Sequence, residues 1–106
     1  SIDLTGATFK MSDLRNASFK SCILGNTDFN GSDLSGVCFE KQTFNGTIFD
    51  NSTLTKTSFK NAVFQNVSFT RVADIKKAIF EGVTIDKLTY AALRGYGLSL
   101  TNVTVI

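Results

Sequence analysis

A large apolar residue returns at every fifth position between residues 4 and 69, without a gap: Leu4, Phe9, Leu14, Phe19, Leu24, Phe29, Leu34, Phe39, Phe44, Phe49, Leu54, Phe59, Phe64 and Phe69. A helix, with its period of about 3.6, and a flat strand, with its period of about 2, would both scatter such residues around the chain. A chain that turns a corner every five residues keeps them on one side, as successive walls of a square coil. The expectation is therefore an all-β solenoid, a scaffold whose interior is dictated by the repeat and whose outer surface is left free.

The residues around each apolar centre fit that geometry. Two positions before it the residue is small: Ala7, Ser12, Ala17, Cys22, Thr27, Ser32, Val37, Thr47, Ser52, Thr57, Ala62 and Val67. One position before it polar or β-branched residues predominate, among them Asp13, Asp28, Asp33, Thr43 and Ser58. Two positions after it stand Gly6, Asn16, Asn26, Gly31, Gly36, Gly46, Asn51, Asn61 and Asn66. Glycine and asparagine tolerate the backbone angles of a tight corner at least cost.

This motif resembles the pentapeptide repeat family. Good copies are Thr27-Asp28-Phe29-Asn30-Gly31, Ser32-Asp33-Leu34-Ser35-Gly36 and Thr57-Ser58-Phe59-Lys60-Asn61. Ala17-Ser18-Phe19-Lys20-Ser21 and Val67-Ser68-Phe69-Thr70-Arg71 depart in the last slot, which bears on their corner geometry. The resemblance covers about four-fifths of the chain. It implies a right-handed quadrilateral β-helix with four pentapeptides per coil, here about four coils.

With four repeats per coil, residues twenty apart stack. Phe9, Phe29, Phe49 and Phe69 then form one ladder, and Phe19, Phe39 and Phe59 another. Leu14, Leu34 and Leu54 form a third, and Leu4, Leu24, Phe44 and Phe64 a fourth. All ten Phe occupy centre positions, so they are expected as core rather than as a binding stripe. After Phe69 the next centre is Ile75, six residues on, which predicts a one-residue bulge within residues 70–73. Beyond it Ile75 extends the Leu ladder and Phe80 the second Phe ladder, with Ala73, Ala78 and Val83 in the small slot. The β-helix is expected over 1–85 and a C-terminal cap over 86–106. The cap begins with a short helix at about 86–94, started by Asp86 and stopped by Gly95, with Leu88, Ala91 and Ala92 as its apolar face. A strand or partial coil follows. In the alternative, Tyr90, Gly95, Leu100 and Val105 continue as weak centres, but a glycine centre fills nothing. At the other end Ile2 is already in the repeat, and the chain starts at Ser1 with no initiator Met. These features suggest a domain of a longer polypeptide, or a bare coil end that pairs with a second copy.

Sites of chemistry are sparse. There is no His, so the commonest general base and metal ligand is missing. No nucleophile–base pair, metal cluster or phosphate loop is present, and neither catalytic residues nor a cofactor are expected. Cys22 is predicted to point inward and Cys38 outward, which argues against an internal disulfide and leans toward a reducing compartment. Asp13, Asp33 and Asp74 fall in one column as ordinary solvent-facing repeat residues. Lys20, Glu40, Lys60 and Glu81 alternate in sign and suggest cross-strand pairing. Gln42 is the one long polar residue in a small inward slot, and its amide is expected to bond coil backbone. The repeat itself generates the Asn-x-Ser/Thr triplets at Asn16, Asn30, Asn45, Asn51, Asn66 and Asn102. Ile23, Ile48 and Val63 stand at outward positions on the adjacent first and second columns, and with Thr43 they form a possible contact patch.

A net charge of +2 gives little steering toward nucleic acid, and no apolar run is long enough to span a membrane. The expected function is a non-enzymatic interaction or spacer module with a protein partner. The resemblance implies a bacterial protein acting in the cytoplasm, or an effector delivered into a host cell. The alternative it implies is a DNA mimic that protects DNA gyrase from quinolones. Members of that type are strongly acidic, whereas this chain carries 11 Lys and Arg against 9 Asp and Glu.

Overall fold

The computed structural model describes residues 2–106. Ser1, on which the expectation of a longer parent chain rests, lies outside the described residues. The chain winds as a four-sided solenoid. Face 1 carries the centres Leu4, Leu24, Phe44, Phe64 and Ile85, face 2 the Phe9 ladder, face 3 the Leu14 ladder and face 4 the Phe19 ladder. Regular strands occur on face 1: β1 (Ile2–Asp3), β2 (Cys22–Ile23), β3 (Thr43–Asn45), β4 (Val63–Gln65), β5 (Thr84–Ile85) and β6 (Thr104–Val105). All pairings are parallel, with partners such as Thr43 and Val63 twenty residues apart. The other faces are held by isolated parallel bridges, such as Thr8 with Asp28 and Asp28 with Ile48.

The corners explain the Gly and Asn column. Each corner from Gly6 to Arg71 places one residue in the left-handed region, Asn16 at φ 59° and Gly46 at φ 72° among them. Ser21 (φ 62°) and Arg71 (φ 50°), the departures from the motif, hold the same corner conformation, as do Met11, Lys41 and Lys56. The local preference is weak enough that the inter-coil ladder overrides it at these positions.

Inside, the predicted ladders form. Phe29 and Phe49 stack at 5.4 Å and 9°, Phe49 and Phe69 at 5.2 Å and 9°, and Phe59 and Phe80 at 5.1 Å and 11°. Neighbouring ladders meet edge-on, as Phe49 does with Phe59 at 82°. This interlocked arrangement favours aromatic quadrupoles in both directions. Buried Ser and Thr of the small slots are satisfied by nearby carbonyls. The Ser32 hydroxyl donates to Phe29 at 2.7 Å, and that of Thr57 to Leu34 at 2.8 Å.

Two expectations about the C-terminal third are corrected. The extra residue does not sit in 70–73. The ladder keeps its twenty-residue spacing through Thr53 and Ala73 and becomes twenty-one at Ser58 and Ile79. The insertion is Asp74, itself left-handed at φ 56°, followed by a 3-10 turn over Ile75–Lys77. Val72, 8% exposed, fills the inward slot assigned to Ala73, which is exposed. Both are small and apolar, so either register fits the motif. Asp74 consequently leaves the Asp13 and Asp33 column, and its carboxylate accepts from the Thr55 hydroxyl at 2.7 Å.

The cap helix, α1 (Lys87–Arg94), lies where expected but turns the other face inward. Leu88 is 81% exposed, and Ala91 and Ala92 are exposed, while Thr89 and Leu93 are buried. The reason is at the end of the stack. In lower corners the small residue's N–H bonds the carbonyl three back, as Ser52 does with Phe49 at 3.1 Å. In the last coil the Val67 N–H instead donates to the Thr89 hydroxyl at 3.3 Å. The Val72 N–H donates to the Tyr96 hydroxyl at 3.2 Å, and that hydroxyl donates onward to the Phe69 carbonyl. Two hydroxyls thus dock the cap by giving partners to these N–H groups, and the same helix buries Leu93 in place of Leu88. Gly95 ends the helix in an ordinary right-handed conformation (φ −61°), and the left-handed residue beyond it is Gly97. After the cap, β6 pairs with β5 as one more layer of face 1.

Candidate interaction surface

Outward side chains come from the positions just before and just after each centre. On faces 2, 3 and 4 these include acids whose carboxylates close local turns. Asp28 accepts from the Asn30 N–H at 2.9 Å and Asp33 from the Ser35 N–H at 3.0 Å. That turn-closing bond is the physical reason for Asp at this slot. Asp13 does the same toward Arg15, whose guanidinium returns two hydrogen bonds at 2.9 and 2.8 Å. Side-chain hydrogen bonds from Arg15, then its backbone N–H, hold the Asp13 carboxyl below the usual range, and Asp13 in turn raises Arg15. Ion pairs among the described residues are Arg15 with Asp13, Arg15 with Asp33 at 3.9 Å, and Lys10 with Asp28 at 3.6 Å. The expected pairing along Lys20, Glu40, Lys60 and Glu81 does not close. Exposed charges gain little from a held geometry, and Glu40 instead accepts from the Ser58 hydroxyl at 3.3 Å.

Face 1 differs. Ile23 lies on β2, Thr43 on β3 and Val63 on β4, all at the position before the centre, and the column continues through Thr84 and Thr104. The position after the centre carries Gly25, Asn45 and Gln65. No charged side chain interrupts the block from Ile23 to Gln65 on this face. Ile23 is 49% exposed and Thr43 is exposed, while Val63 is half-buried. Ile48 stands apart from the other three: it bridges Asp28 and Ser68 on face 2, around a corner.

Gln42 behaves as expected, donating its amide to the Cys22 carbonyl at 2.9 Å. Both cysteines are free, Cys22 half-buried and Cys38 exposed. Among the described residues, no group of acids and cysteines is placed to hold a metal ion. No helix is long and apolar enough to cross a membrane.

The sequence matches the pentapeptide repeat region family over residues 12–90. The chain belongs to the pentapeptide repeat family. Its fold is accordingly the right-handed quadrilateral β-helix, closed by a short C-terminal helix. No curated protein matches significantly. Among solved structures, this pentapeptide repeat chain is similar to a pentapeptide repeat protein of the Arabidopsis thaliana thylakoid lumen. That likeness has 24% identity and a TM-score of 0.47 over 86% of this chain and 73% of the other. It is also similar to QnrB1, a plasmid-mediated fluoroquinolone resistance protein, at 18% identity and a TM-score of 0.63. The match covers all of this chain and 59% of QnrB1. At these identities the likeness is one of fold.

Proposed function

We propose that this pentapeptide repeat chain is a non-enzymatic interaction module that docks a protein partner on face 1. The observation that carries the reading is the uncharged block of Ile23, Gly25, Thr43, Asn45, Val63 and Gln65 on an otherwise charged rod. The paired strands β3 and β4 hold Thr43, Asn45, Val63 and Gln65 in rows about 4.8 Å apart, a surface that loses little entropy on binding, with Ile23 and Gly25 beside it on β2. Depletion of charge at the centre of a patch is the compositional mark of protein interfaces. Ile48, on face 2, is a neighbouring apolar residue.

The second reading, action on DNA gyrase, takes support from the QnrB1 likeness in fold. Charge weighs against it. Lys56, Lys60, Lys76 and Lys77 stand on the upper coils, and the acids of faces 2 and 3 are interleaved with Lys10 and Arg15. The discriminating experiment compares Thr43→Arg/Val63→Arg with Thr53→Arg on face 3, using quantitative mass spectrometry of proteins captured from host-cell extract. Specific capture lost only in the face 1 variant supports the proposal, and equal capture by both overturns it. Protection of gyrase supercoiling from a quinolone, measured in parallel, would instead establish the second reading.

A further inference from the structure

The backbone ladder between coils is interrupted in one region. On face 4 the Phe39 N–H donates to Ser58 at 2.7 Å and the Lys41 N–H to Lys60 at 2.9 Å. One coil lower Ser18 and Cys38 still pair as a parallel bridge, but the equivalent bonds, from Phe19 to Cys38 and from Ser21 to Glu40, fall outside hydrogen-bond geometry, so the ladder is loosened there. Around the corner on face 1 the Leu24 N–H makes no bond to Thr43, although Leu4 bonds Ile23 at 2.9 Å. Face 1 therefore splits into two sheets, β1–β2 and β3–β4–β5–β6. The ladder resumes at Asn26 and Asn45, 2.8 Å apart.

Gln42 stands at the centre of this gap. One coil higher its inward slot is filled by Ala62, fully buried. Glutamine is too long for that slot, so it lies half-exposed with its amide on the Cys22 carbonyl. Two grooves follow the gap. One, of about 460 Å³, passes Phe19, Ser21, Cys38 and Glu40, and the other, of about 410 Å³, passes Cys22, Ile23 and Thr43. Gln42 lines both. The Phe19 and Phe39 rings are tilted by 25°, against 15° for Phe39 and Phe59 above them.

The opposite side is closed. On face 2 Phe9 bonds Asp28 at 2.7 Å and Asp28 bonds Ala7 at 3.0 Å. On face 3 Leu14 bonds Asp33 at 2.9 Å and Asp33 bonds Ser12 at 3.0 Å. The two ion pairs that join the first coil to the second, Lys10 with Asp28 and Arg15 with Asp33, also lie on these faces.

We propose that the first coil is hinged: it opens along faces 4 and 1, swinging on the intact ladder of faces 2 and 3, while the rest of the solenoid stays folded. In a stack where each coil contacts only its neighbours, a seam whose ladder is loosened on face 4 and unpaired between β2 and β3 opens at a small fraction of the global unfolding free energy. Opening uncovers the Cys22 thiol, which is therefore the reporter.

The test is thiol labelling of Cys22 in Cys38→Ser protein under native conditions. Adding Gln42→Ala, which restores the side chain found at position 62, should slow labelling at least tenfold. Adding Leu93→Ala, which destabilises the far end, should leave the rate within about twofold. A rate that ignores Gln42→Ala, or rises in step with lost global stability in Leu93→Ala, overturns the hinge. Amide exchange of the unsubstituted chain gives an answer should a variant not fold. Phe19, Ser21 and Leu24 should exchange at least a hundredfold faster than Phe9, Leu14, Phe39 and Lys41, and uniform protection across these amides rejects the opening.

Discussion

Gly46 lies directly over the side-chain amide oxygen of Asn26, so close that a β-carbon at position 46 would overlap it. Asn16 and Gly36, and Asn61 and Gly82, repeat the arrangement. Glycine at Gly46 thus answers two demands, a φ of 72° and the space taken by the asparagine below. Gly46→Ala should cost about 2 kcal/mol or more, since a left-handed residue with a β-carbon alone costs about 1–2 kcal/mol. Asn26→Gly should recover part of the loss by removing the overlap and leaving the φ penalty. Urea denaturation of the single and double variants measures the coupling, and strict additivity would contradict the steric account.

Phe49 is sandwiched between Phe29 and Phe69, whereas Phe9 stacks on Phe29 alone, at 5.3 Å, and is half-exposed. Phe49→Ala should destabilise by about 3–5 kcal/mol, the range for fully buried aromatics. Phe9→Ala should cost well under half as much. Equal losses in denaturant titration would mean that the first coil is covered in solution.

Leu93 is fully buried and Leu88 is 81% exposed on the same helix. Leu93→Ala should cost about 2–5 kcal/mol, and Leu88→Ala less than about 0.5 kcal/mol. The reverse order in thermal melts would restore the face suggested by the apolar spacing.

Arg15 holds Asp13 ionised through their hydrogen bonds. A depressed carboxyl contributes stability above its unfolded value of about 3.9 and loses it as pH falls through the folded value. Arg15→Gln should raise the Asp13 midpoint toward that unfolded value, as read by NMR titration of its carboxyl. An unmoved midpoint would rule out the Arg15 contact as the cause. The pair is exposed, so no measurable change in the acid limb of stability is expected.

The ladders were legible because each Phe and Leu centre repeats a local instruction every five residues. Corner, small slot and centre are each defined by residues within one repeat, so their roles survive substitutions such as Ser21 and Arg71. The proposed contact patch was legible only in part. Ile23, Thr43 and Val63 share a face by the twenty-residue stack, but the absence of charge around them shows only when both outward rows of face 1 are laid side by side. Ile48 belonged to the next face, as its position before Phe49 implies.

The sequence alone determined the coil, its period and the identity of its core, because burying one large side chain per five residues leaves few other folds. Tertiary structure decided where that pattern is relaxed. Val72 rather than Ala73 turns inward, because the extra residue is absorbed after it at Asp74. Leu93 rather than Leu88 is buried, because the Thr89 and Tyr96 hydroxyls meet N–H groups at the end of the stack. The gap around Gln42 lies against Cys22, twenty residues below, and rests on ladder bonds that no single repeat specifies. At the cap the deciding partners are distant in sequence, and buried N–H groups are met by hydroxyls that no single repeat contains.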